Sequence, residues 1–187
     1  MIFEVTPSQT VGPYFAIGLP FDDGPLIVAP DTPGAITITG TIYDGRGDII
    51  PDHLIELWQP DREGRFADIH GYSDRPADPG FRGFGRYGVE DGDGTYHFTT
   101  VKPGPVPTPD GRLQAPHIDV TLFARGMLDR VVTRIYFADE SAANALDPVL
   151  ATVPAARRST LLAEPIDGGY RFDIRLQGPG ETVFFDV

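Results

Sequence analysis

PHIDVTLFA (residues 116–124) and VVTRIYF (residues 131–137) read as two strands joined through a short connection at residues 125–130. Both runs are rich in β-branched and aromatic residues, which suit a pleated, half-buried surface. A pair of such runs close in sequence is a unit of antiparallel sheet. The same signals recur on either side. AITITGTIY (residues 35–43) alternates β-branched and small residues and ends at Asp44-Gly45, a turn signal. HLIELWQ (residues 53–59) alternates, with Leu54, Glu56 and Trp58 on one face. Asp93-Gly94 opens a further strand over residues 95–101. Residues 170–177 and 182–187 read as closing strands separated by a Gly-Pro-Gly turn.

Helix is suggested only over residues 139–145 and 154–163, the second beginning with a proline suited to a first helical turn. Residues 60–94 and 102–114 read as long irregular stretches rich in Gly and Pro. Loops of that length in a compact domain are usually functional or interfacial. About seven or eight short strands with turns between them predict an all-β chain, a β-sandwich with little helix. Residues 1–34 stand apart. Pro7, Pro13, Pro20, Pro25, Pro30 and Pro33 forbid a long helix and most ladder bonds. Yet Phe3, Val5, Val11, Tyr14, Phe15, Ile17, Leu19 and Phe21 are too many apolar groups for a solvated tail. The expected organisation is an extended arm over 1–34, packed on its own domain and on a neighbour, and one sandwich domain over 35–187.

The composition agrees. At 187 residues and 41% hydrophobic content the chain can bury one sizeable core. A formal net charge of -12 makes phosphate backbones and anionic lipid surfaces poor partners. With no cysteine, disulfides, thiolate metal sites and thiol nucleophiles are excluded. No basic segment followed by an apolar run opens the chain, and no stretch has membrane-spanning length, so a cytoplasmic location is expected.

Four histidines are present: His53, His70, His97 and His117. His117 and Asp119 lie two apart on the predicted strand, so they share a face. Such a pair can offer two ligands to a non-haem iron, with a third histidine usually downstream. No histidine follows His117. The other reading is a strand histidine hydrogen-bonded within a pocket or core. No G-x-S-x-G nucleophile motif and no phosphate-binding glycine loop occurs. The residues alone stop at an all-β domain with a proline-rich arm.

Several segments, in order, resemble the intradiol ring-cleaving dioxygenases: TPSQTVGPYFAIGL (6–19), ELWQPDREGRF (56–66), DPGFRGFGR (78–86), DGDGTYHFTTVKPGP (91–105), APHIDVTLFARG (115–126), TRIYFADE (133–140) and RFDIRLQGPGETVFFDV (171–187). Iron-binding chains of that family hold Fe(III) with two tyrosines and two histidines. Carried over by position, the resemblance places Ser73, beside Tyr72, and Val106 where the tyrosines belong. It keeps His117 and puts Asp119 where the second histidine belongs. Gln114 matches an arginine of the catalytic chains. The resemblance therefore implies a subunit without its own metal, whose ligand positions Ser73, Val106, His117 and Asp119 are degenerate. Fe(III) would be bound by a partner chain of the same family, in repeated assemblies of the two chains.

The resemblance also implies that Thr10, Gly12, Pro13 and Arg134 reach the pocket around the partner's iron. There 3,4-dihydroxybenzoate and O2 would give 3-carboxy-cis,cis-muconate. Two other readings remain. One is a self-sufficient enzyme binding iron through Tyr72, His117, Asp119 and a further group. The other is a non-catalytic sandwich binding module.

Overall fold

The computed structural model describes residues 17–67, 77–89 and 92–187. In chain order these form β1 (Ile36–Tyr43), β2 (His53–Trp58), β3 (Phe84–Val89), β4 (Thr95–Thr100), β5 (Val106–Pro107), β6 (Leu113–Gln114), β7 (His117–Ala124) and β8 (Val131–Phe137). A short helix α1 (Ser141–Leu146) and two 3-10 segments (Leu150–Thr152 and Ala155–Leu161) follow. The chain closes with β9 (Leu162–Ile166), β10 (Gly169–Arg171) and β11 (Ile174–Arg175).

Two layers result. One has the order β3-β2-β7-β8, antiparallel throughout, and the other is built on β1, flanked by β4 and by β10 with β9 beyond it. Strand β9 pairs antiparallel with β10 and parallel with β8, so it ties the layers together. The strand alternation sets the core. On β7, Ile118, Val120 and Leu122 are fully buried, while Asp119 and Thr121 lie half-buried on the opposite face. Ile55, Leu57, Ile135 and Phe137 meet Ile38, Ile42, Tyr96 and Phe98 from the facing layer. Each large aliphatic side chain taken out of water contributes about 1.5–3 kcal/mol, so this shared core holds the two layers together.

The described part of the proline-rich segment is not separate from this core. Leu26 bridges Thr99 in parallel, Ile27 donates its N–H to the Thr99 carbonyl at 2.9 Å, and Ile27 and Val28 are core residues. The prolines limit this contact to a bridge.

Two differences from the sequence reading have local causes at glycines, and two more concern the last residues and the number of strands. The stretch expected to be irregular over 60–94 contains β3, which pairs along its whole length with β2. Its sequence, FGRYGV, carries two glycines that mask the strand pattern. At Gly85 a Cβ would lie 2.8 Å from Ile27 and 2.9 Å from Phe98, so the layers approach too closely there for any side chain. The run at 170–177 is split into β10 and β11, because Gly40 lets the Phe172 carbonyl press directly onto β1. The last residues form no strand of their own, only the bridge Val132↔Phe185. With β9 and the two-residue pair β5–β6 added, the described residues form eleven strands rather than about eight.

Candidate functional site

The start of β7 carries a polar cluster at the margin of its layer. The pairing of β5 with β6 sets Val106 opposite Gln114, three residues before His117. Across β7 and β8 the register places His117 beside Tyr136 and Asp119 beside Arg134. His117 is 2% exposed, and its Nδ1 lies 2.7 Å from the Ala115 carbonyl oxygen. A carbonyl can only accept, so Nδ1 carries the proton. Burial, with the Arg134 cation nearby, holds this imidazole below its ordinary value. His117 is therefore a neutral, buried histidine.

Arg134 is gripped from two sides. Its Nε lies 2.8 Å from Asp119 Oδ1 as an ion pair, and its Nη1 donates to Gln114 Oε1 at 2.7 Å. Nη1 also faces the Tyr136 hydroxyl at 3.5 Å. Burial opposes the charge, but Asp119, Tyr136 and Asp147 together outweigh it, and the guanidinium is held more firmly protonated than usual. The Tyr136 hydroxyl donates to Asp147 Oδ1 at 3.2 Å, and burial pushes that phenol well above its ordinary value. Asp147 is 1% exposed. Its Oδ1 also accepts the Val149 and Leu150 N–H groups at 2.8 and 2.7 Å, and its Oδ2 accepts the Ala115 N–H at 2.7 Å.

This donor set does not fit a ferric ion. Fe(III) is a hard, highly charged cation that needs several anionic oxygen or imidazole donors. Val106 has none, Asp119 is already neutralised by Arg134, and a cation bound there would face the guanidinium. Among the described residues no group of three or more His, Asp or Glu side chains could hold a metal. Ser73 and Tyr72 lie outside the described residues, as do Thr10, Gly12 and Pro13. Of the pocket residues expected from sequence, Arg134 is thus the one whose surroundings are visible, and it sits among Val106's neighbour Gln114, His117 and Asp119. Sequence reading missed Tyr136 and Asp147. An Asp-Pro pair such as Asp147-Pro148 favours a turn, but nothing in the sequence links it to β8.

The outward face of the same layer continues from Arg134. Phe84, Trp58, Asp119 and Arg134 form one cross-strand row. Trp58 is 39% exposed and stacks on Phe66 with centroids 5.8 Å apart, and Glu56 pairs with Arg86 at 2.6 Å beside it. No helix among the described residues is long and apolar enough to cross a membrane.

The buried histidines give the protein a pH dependence. Burial is the main cause that lowers both His53 and His117. Both stay neutral in the fold but take a proton near about 6.5 when unfolded. Their contribution to stability is complete above that value and is lost as the pH falls through it toward the folded-state values. The thermal midpoint should therefore drop between pH 7 and pH 5.5, and His53→Gln should flatten the drop. An unchanged midpoint across that interval would mean that neither ring stays neutral in the folded chain.

Comparison with known proteins places this architecture. A family model described as "Dioxygenase" matches residues 10–178. The chain is 46% identical to the protocatechuate 3,4-dioxygenase alpha chain of Burkholderia cepacia, over 97% of each chain. It is 34% identical to the protocatechuate 3,4-dioxygenase beta chain of the same organism, over 79% of this chain and 66% of that one. Among solved structures, the dioxygenase domain of a dioxygenase–carbohydrate-binding fusion from a Streptomyces species superimposes with a TM-score of 0.58. It shares 25% identity and covers 94% of this chain and 100% of the other.

Proposed function

The chain belongs to the intradiol ring-cleaving dioxygenase family, and from that premise we propose that it is the alpha-type subunit of a protocatechuate 3,4-dioxygenase. It binds no iron itself and completes an active site whose Fe(III) is held by a beta-type partner. The observation that carries this reading is the Arg134 cluster. Where an iron-binding chain needs free anionic donors, this chain has a guanidinium already paired with Asp119 and bonded to Gln114. Similarity over nearly the whole length to an alpha chain, and lesser similarity to a beta chain, supports the division of labour.

The partner's iron would supply the activation of the catechol and O2. The residues of this chain supply recognition and enclosure. Arg134 presents a planar, permanently charged fork suited to the carboxylate of 3,4-dihydroxybenzoate. Thr10, Gly12 and Pro13 would form part of the pocket wall. Gly12 would permit close backbone approach and Pro13 would stiffen the wall. Together they would keep water from the reacting ring, which is opened to 3-carboxy-cis,cis-muconate with both oxygen atoms retained. The half-exposed row of Phe84, Trp58 and Arg134 is the face offered to the partner. Aromatic and arginine side chains are typical of interface centres. Repeated alpha–beta units and the cytoplasmic location expected from sequence go with this reading.

The test is iron content and visible absorbance of the chain purified alone and co-expressed with its beta-type partner. The expected result is a colourless, iron-free chain alone and a coloured, iron-containing complex. Stoichiometric iron with a tyrosinate charge-transfer band in the isolated chain would overturn the proposal.

A further inference from the structure

An arginine that recognises a carboxylate must be aimed. Its side chain has many rotamers, and freezing them on substrate binding works against affinity. In this chain the guanidinium is fixed before any ligand arrives. Asp119 holds Nε, while Gln114 and Tyr136 meet Nη1. None of these three contacts uses Nη2. The two groups at Nη1 share one anchor. Asp147 accepts the Tyr136 hydroxyl on one oxygen and the N–H of Ala115, the residue after Gln114, on the other. Its remaining bonds to the Val149 and Leu150 N–H groups fix it to the 3-10 turn behind. Because the Tyr136 hydroxyl donates to Asp147, its lone pair is left to face the Nη1 hydrogens.

We propose that Gln114 and Tyr136, anchored by Asp147, are positioning residues that aim Arg134 at the substrate carboxylate in the completed pocket. The proposal rests on the reading of Arg134 given above. It goes beyond that reading by assigning a task to a buried network that never touches the ligand. A purely structural network would hold β8 against α1 without regard to Arg134. The path from Asp147 through two separate arms onto one nitrogen has no such need.

The test uses the assembled iron-containing complex. Gln114→Met keeps side-chain bulk and removes the acceptor at Nη1. It should raise KM for 3,4-dihydroxybenzoate by about 3- to 10-fold, the usual range for one lost hydrogen bond. KM for catechol, which lacks the carboxylate, should change far less. Tyr136→Phe should act in the same direction. If that variant fails to assemble, Gln114→Met measured on the two substrates still decides the question. Equal KM changes for both substrates, or no change with Gln114→Met, would overturn the positioning role. Arg134→Ala measured alongside separates the two levels. If it discriminates between the substrates and Gln114→Met does not, only the positioning role falls. If Arg134→Ala does not discriminate, the pocket role of Arg134 falls and this proposal with it.

Discussion

Arg134→Ala in the assembled complex should raise KM for 3,4-dihydroxybenzoate by roughly 10- to 100-fold, while KM for catechol moves only slightly. The size follows from the chemistry lost. A hydrogen bond to a charged group contributes about 1.5–3 kcal/mol, and each 1.4 kcal/mol is tenfold in affinity. The guanidinium's side chain is 20% exposed, so the bond it makes at the pocket margin is only partly screened by water. Removal should leave the sandwich intact, because Asp119, the ion-pair partner left behind, lies on the half-buried outward face and can be hydrated. Arg134→Lys should recover little. An ammonium can meet Asp119 or Gln114, but it cannot repeat a planar contact with both and still present a free edge. A parallel rise in KM for both substrates would show that Arg134 shapes the pocket without reading the carboxylate.

The contrast between the strands and this cluster shows what a sequence discloses. Strands β1, β2, β4, β7 and β8 were legible because β-branched and aromatic residues recur along them, and on β4 and β7 the burial itself keeps a period of two. Strand β3 was not, because the close packing of the layers at Gly85 requires the residue type that argues against a strand. Strand β9 was hidden by Pro165, although its pairing with both β8 and β10 joins the two layers. At the site, the shared face of His117 and Asp119 followed from spacing alone. Register determines that Asp119 meets Arg134, and register is a property of the paired strands rather than of either one. Asp147 lies beyond local inference altogether. It acts across 32 residues on Ala115 and across 11 on Tyr136, and only the folded chain brings those groups together.

The largest expected loss of stability is at Asp61, within the PDREGR segment. This carboxylate is 1% exposed. One oxygen accepts the N–H groups of Glu63 and Arg65 at 2.9 and 3.0 Å. The other accepts Arg65 Nε at 2.9 Å and the N–H of Asp78 at 3.1 Å. One side chain therefore closes the turn after β2 and clasps residue 78 on the approach to β3. Burial works to raise its pKa, but the Arg65 guanidinium and the three backbone donors outweigh it and hold it below the ordinary carboxylate range. Asp61→Ala would leave those three backbone N–H groups without their acceptor and strip the Arg65 cation of its buried partner, leaving it the more exposed carboxylates of Asp78 and Glu63. The expected cost is roughly 3–4 kcal/mol, seen as a fall in the thermal midpoint of about 6–16 °C. Asp61→Asn keeps one acceptor oxygen but not the charge, and should lose about half as much. The wild-type carboxylate contributes stability above about pH 3.9, and this is lost as the pH falls through its lowered folded-state value. The asparagine variant should lack that acid-dependent component. A midpoint shift below about 2 °C in the alanine variant would mean that water takes over the freed donors. The turn would then owe its shape to the Gly64 and Gly104 N–H bonds to the Asp61 carbonyl, which no side-chain replacement removes.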